Sequence, residues 1–300
     1  MFEALAVCAL FLLVVSAILA TYWRLDPREL YHVSGNGLEG GASRVLVFSG
    51  WPFGLVAAPL AWLAASRLGE AWAVAVAAAA SLLIATIGLP GVIDQVDLDA
   101  RPVNGLAGLG ALLALVLLGV SWVRGWGRST PFHRADWLRI GVALVLMLWS
   151  LPWIWAELGF YISNAPALGS IFLAEEVRPS LGGEPSLHAV HLGEHHGLDG
   201  TLLALSALAL SRVPGRMPGE RGRVALTAYV SLLLVYGLAL SLQDGWNEQL
   251  VKRGTVDSKL PSMIRPDLSW AWLGLLLAAV VICSALLRVG RVDRLQGGTR

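Results

Sequence analysis

The chain has 300 residues, 56% of them hydrophobic and 14% charged, with a formal net charge of +1. Its mean hydropathy is +0.66. These values lie outside the range of soluble domains, offer no basic patch for nucleic acid, and point to a polytopic membrane protein.

Eight apolar runs have the length a bilayer crossing requires: about 2–22, 45–66, 71–89, 105–123, 138–158, 188–211, 224–243 and 268–288. The expected fold is therefore all-α, a single integral membrane domain built as a bundle of about eight transmembrane helices. The first run lacks a basic leading segment and carries Glu3, so it reads as an anchor rather than a cleaved signal peptide. Pro90 closes the third run, Asn104 is placed to cap the fourth, and Asp267 or Ser269 the eighth. Cys8 and Cys283 sit in apolar runs near opposite ends of the chain. They read as packing or lipid-facing residues, not as a disulfide or a ligand pair.

The arginines set the expected orientation. Arg67, Arg124, Arg128, Arg134, Arg139, Arg212, Arg216, Arg221, Arg223 and the tail arginines fall in connections on one side, with only Glu3, Glu70, Asp136, Glu220 and Asp293 as acids. The positive-inside rule puts that side and both termini in the cytoplasm. Arginine greatly outnumbers lysine, which fits a GC-rich bacterial genome and hence a bacterial inner membrane.

The connections at about 23–44, 90–104, 159–187 and 244–267 then face outward, and the unusual polar residues gather there. The first holds His32 and a Gly-rich stretch and reads as a surface loop. Asp94, Asp97 and Asp99 have spacing that suits oxygen ligation of a hard cation, although a solvated acidic loop neutralised by Arg101 is the favoured reading. The segment from Asp244 to Arg253 is interfacial and of mixed charge, and is placed to fold over an outer site.

Glu157 lies near the outer end of the fifth run, just after Pro152, where a carboxylate must be protonated, paired or metal-bound. The surrounding tryptophans read as an interfacial belt.

The sixth run opens with four of the chain's six histidines, in Leu187-His-Ala-Val-His-Leu-Gly-Glu-His-His-Gly-Leu-Asp-Gly200. The apolar part alone, Thr201 to Ser211, is too short to cross, so a spanning helix has to start near Leu187. On such a helix His188, His191, His195 and Asp199 share one face, with Glu194 and His196 to either side. His191 and His195 are about one turn apart and suit a metal chelate, completed by His188, Asp199 or Glu157. The glycines at 193, 197 and 200 weaken the helix, and in a loop this face would not exist.

His191, Glu194 and His195 also spell H-x-x-E-H, which resembles the inverzincin zinc-hydrolase signature over five residues, without an acidic third ligand downstream in matching context. That resemblance implies zinc hydrolysis, with Glu194 as the catalytic carboxylate beside Glu157. From the residues themselves, imidazole and carboxylate suit zinc, iron or copper. A b-type haem would need His32 as a second axial ligand, since two histidines of one short helix cannot straddle a porphyrin.

The expectation is an integral membrane protein with an outward-facing His/carboxylate site in the outer leaflet. That site would bind metal and support hydrolytic or redox chemistry on a small molecule or lipid from the outer side. The alternative is a non-catalytic subunit or transporter, associated with other protein subunits, whose histidines only hydrate the interface. The bilayer is the expected partner in either case, and nucleic acid is not.

Overall fold

The structure is a computed structural model that describes residues 2–24, 38–89, 100–125, 132–151, 153–154, 177–178, 187–188, 196–251 and 254–297. It is an all-helical, membrane-type bundle. Nine α-helices occur among the described residues: α1 (Phe2–Arg24), α2 (Leu38–Phe48), α3 (Gly54–Leu68), α4 (Ala71–Ala85), α5 (Pro102–Val123), α6 (Arg134–Trp149), α7 (His196–Leu210), α8 (Glu220–Trp246) and α9 (Trp270–Gly297). A π-helical turn, Ser49–Phe53, joins α2 to α3, and a second one, Asn247–Val251, extends α8. Among the described residues, six stretches are long and apolar enough to cross a membrane: Phe2–Arg24, Glu39–Leu68, Ala71–Gly88, Pro102–Val123, Glu220–Val251 and Trp270–Arg288.

Local chemistry explains where several helices start and stop. The α3 helix ends at Gly69, whose φ of 68° lies in the left-handed region and lets its N–H close on the Ala65 carbonyl. Pro102 starts α5, where its missing N–H costs nothing, and Asn104 accepts a hydrogen bond from the Arg101 N–H at 2.8 Å. Asn104 therefore braces the helix start from inside the first turn, two residues beyond the position of Pro102. Ser269 caps α9 by accepting from the Trp272 N–H at 3.3 Å, and Asp267 in turn accepts from the Ser269 N–H.

The first π-helical turn also has an identifiable setting. Pro52 sits inside it, where it cannot donate an i→i−4 bond, so the ladder is already broken at that point.

The bundle is assembled around α7. All of its fifteen residues except Leu205, Leu208 and Ala209 are buried, as expected for a helix that is apolar on every side. Its closest neighbour is α8. A Cβ at Gly200 would lie 2.6 Å from the Gly237 carbonyl oxygen, and one at Gly237 2.5 Å from the Gly200 oxygen, so both must be glycine for the backbones to meet. The α4–α5 pair uses the same device: Ala73, Ala77 and Ala80 are fully buried, and a Cβ at Gly110 would meet the Ala80 oxygen at 2.6 Å. Small residues at close crossings are the usual packing solution in lipid, where van der Waals contact rather than water expulsion drives association.

One element departs from expectation. The sixth run was expected to be helical from about residue 188, but α7 begins at His196. Leu187–His188 instead pairs antiparallel with Val177–Arg178 over two residues, with Val177 opposite His188. His188 therefore does not share a helix face with Asp199. The ladder to Val177–Arg178 ties Leu187 and His188 into an extended pair, which a helix running from residue 188 would not allow.

Candidate functional site

A layer of buried polar groups lies where the first turn of α7 meets the last turns of α8. His196, Asp199, Asp244 and Glu248 are 4%, 2%, 5% and 4% exposed. In an apolar bundle such burial is costly unless each group is satisfied, and each of the four has interaction partners.

The best-defined contact concerns the start of α7. Asp244 Oδ2 accepts a hydrogen bond from the Gly197 N–H at 2.8 Å. The first amides of a helix have no intrahelical acceptor and carry the positive end of its dipole. A carboxylate from the neighbouring helix answers both needs at once. Gly197 has to be glycine here, since a Cβ would lie 2.7 Å from that carboxylate and 2.3 Å from the Trp153 ring. One turn further on, Thr201 Oγ1 donates to the Gly197 carbonyl at 3.0 Å and lies 3.1 Å from Ser241 Oγ, continuing the polar seam between the two helices.

Aromatic rings wall the layer. Trp51, in the first π-helical turn, meets the His196 imidazole edge-on, with ring centroids 5.3 Å apart and planes at 71°. Tyr236 lies near enough to Trp51 and Asp199 for both to act on its hydroxyl electrostatically. That hydroxyl donates to the Ile264 carbonyl at 2.6 Å. Glu248 lies in the second π-helical turn. Both π-helical turns thus supply a residue to this layer, and such turns recur at functional sites. Arg44, on α2 ahead of the first of them, is 3% exposed.

The segment after α8 is strapped down over this end. Gln243 Oε1 accepts from the Met263 N–H at 2.7 Å, Asn247 Oδ1 from the Leu260 N–H at 3.0 Å, and the Trp246 indole donates to the Ser258 carbonyl at 2.8 Å.

Of the site residues expected from sequence, Asp199 lies in the buried layer. His188 lies on the short strand, and Glu157, His191, Glu194 and His195 are outside the described residues, as are His32, Pro90 and the aspartates of 90–99. His196, expected to the side of the site, is instead packed into the bundle against Trp51. Among the described residues, no group of three or more His, Cys, Asp or Glu side chains is arranged to hold a metal ion.

Asp244, Glu248, Trp51 and Tyr236 were not legible as site residues. Asp244 follows the apolar run of α8 directly and is flanked by Gly245, the sequence pattern of a loop. Its role depends on α7, 47 residues away in the chain.

A second polar cluster lies at the other end of α7. Arg212 pairs with Glu3 at 3.1 Å and with Asp136 at 3.0 Å. Arg139 pairs with Asp136 at 2.9 Å and donates to Ser211 Oγ at 2.8 Å. The other Asp136 oxygen accepts from the His133 N–H at 2.8 Å, closing the start of α6. Glu3, Asp136, Arg139 and Arg212 all belong to the set that the charge pattern put on one side.

No protein-family model matches the chain, nor does any curated protein or any solved structure.

Proposed function

We propose that the chain is a multi-pass membrane protein whose His196–Asp199–Asp244–Glu248 layer binds and releases protons on the outer side of the bilayer. The observation that carries this reading is the burial of three carboxyl groups and one imidazole, none more than 5% exposed, on the first turn of α7 and the end of α8 with its π-helical extension. Intramembrane ionisable groups that face the interior of a bundle mark proton relays, substrate paths and catalytic sites.

A helix as short as α7 supports the placement. Fifteen residues rise ~22 Å, less than the ~30 Å of hydrocarbon. With its C-terminal end held among the arginines of one surface, its N-terminus lies within the membrane, like the half-helices that line transporter sites. Positive-inside assigns the Arg212 end to the cytoplasm and the His196 end to the outside.

In this site Asp199 and His196 are the proton-exchanging pair. Asp244 is a positioning residue, committed to the amide of Gly197. The test is infrared difference spectroscopy across pH on purified protein. A titrating buried carboxyl signal that disappears in Asp199→Asn supports the reading, and its persistence in that variant rejects it.

Metal binding is the second reading. It is favoured by the direct sequence link between His196 and the His191–Glu194–His195 segment that precedes it. Zinc, iron or copper would be held by His191 and His195 as neutral imidazoles, with Glu194 or Glu157 as the acid–base group. Metal content per protein should then fall in His191→Ala and His195→Ala, whereas equal content in these variants and the wild type ends this reading.

A further inference from the structure

A trench of about 890 Å³ runs along the bundle between α3 and α4 on one side and α8 on the other. Its α8 wall extends from Arg221 to Tyr236, ~22 Å of helix rise. Several polar groups in the wall are satisfied within the protein, whereas the buried Trp51 and Trp272 indole nitrogens have no hydrogen-bond partner among the described residues. Tyr229 donates to the Leu55 carbonyl at 2.7 Å, and Ser81 donates to the Ala77 carbonyl while accepting from the Trp62 indole at 3.0 Å. What they leave is an apolar channel, with exposed residues such as Trp62 and Ala225 along its opening.

One end of the trench is different. Arg221 lies there, exposed in the first turn of α8, and no ion pair engages it among the described residues. The neighbouring cations are committed: Arg223 pairs with Glu220, and Arg212 with Glu3 and Asp136. An open guanidinium at the surface end of an apolar trench in a membrane helix bundle is complementary to one kind of ligand: a phosphate carrying a hydrocarbon chain.

We propose that the trench is a binding site for an anionic glycerophospholipid, its phosphate on Arg221 and one acyl chain lying along α8. A trench of this length admits a chain that passes the middle of a ~30 Å hydrocarbon layer. Its far end is walled by Trp51 and Tyr236, the same two rings that wall the polar layer. A bound chain therefore packs against the back of the site, and lipid occupancy supports the wall on which His196 rests. This inference does not depend on what chemistry the polar layer performs.

The test uses the full chain in nanodiscs of phosphatidylcholine doped with phosphatidylglycerol bearing a photoactivatable acyl chain, with labelled sites mapped by mass spectrometry. Leu277 and Val281 on α9, both widely exposed, report ordinary lipid contact. Labelling of Leu226 and Leu233 should exceed that of Leu277 and Val281 several-fold. Arg221→Gln should bring it down to the level seen with photoactivatable phosphatidylcholine, Arg221→Lys should restore part of it, and Ala225→Trp should remove it by filling the trench. Trench labelling no greater than that of α9 overturns the site. Equal labelling by the two lipids in the wild type, or no change in Arg221→Gln, overturns the role of Arg221 and with it the preference for an anionic lipid.

Discussion

The two ends of α7 handle buried charge in opposite ways. At the Arg212 end, each acid faces a guanidinium: Glu3 and Asp136 are held by Arg212, and Asp136 also by Arg139. At the His196 end, the described contacts are a carboxylate on a helix amide and an imidazole on an indole ring. The first arrangement is an ion-pair network that ties the starts of α1 and α6 to the end of α7. The second sets a carboxylate against the positive end of a helix and an imidazole against an aromatic edge, and it is there that the proposal puts proton exchange. The same helix thus joins an ion-pair network to the layer for which proton exchange is proposed.

The largest effect that this contrast predicts is at the ion-pair network. Arg212→Leu takes a guanidinium from both Glu3 and Asp136, leaving Asp136 with Arg139, and removing one partner of a buried network costs about 3–5 kcal/mol. Unfolding by denaturing detergent should show a loss of that order, and a much smaller loss would mean that the network contributes little. Asp244→Ala should cost less, about 1 kcal/mol, the usual loss when a helix start gives up its cap. Asp244→Asn, which keeps an acceptor for the Gly197 amide, should recover most of it in the same assay. An equal loss in both variants would mean that the charge, not the hydrogen bond, is what matters there.

The smallest effect lies outside the membrane, at Glu70 between α3 and α4. The Trp72 indole N–H and then Arg124 hold its carboxyl below the usual range. A depressed folded-state pKa contributes stability above the unfolded-state pKa and loses it as pH falls through the folded value. The stability difference between wild type and Glu70→Gln should therefore shrink to nothing in acid. It should be slight even at neutral pH, because the carboxylate is fully solvated. A difference that grows on acidification would contradict the sign.

The helices were largely legible because hydropathy reports length and apolarity directly. Each of the eight expected runs holds a helix among the described residues, of which six are long and apolar enough to cross a membrane, and the residues that the charge pattern grouped on one side, Glu3, Asp136, Arg139 and Arg212, meet in space. The extended pair at Leu187–His188 was not legible, because helical spacing within one run does not reveal a partner strand at Val177–Arg178. Trp51 was hidden for a different reason. Nothing in its own surroundings points to a site, and its role follows from a π-helical turn at Pro52 and from a contact with His196, 145 positions further along the chain. Periodicity says which face of a helix is buried, but not which helix it meets.

The most direct test of the contrast compares one carboxyl from each end of α7. Infrared difference spectra across pH should be recorded for the wild type, Asp199→Asn and Asp136→Asn under identical conditions. The account predicts a titrating buried carboxyl signal that is lost in Asp199→Asn and retained in Asp136→Asn. A signal lost in Asp136→Asn and unchanged in Asp199→Asn would place proton exchange at the Arg212 end and contradict it.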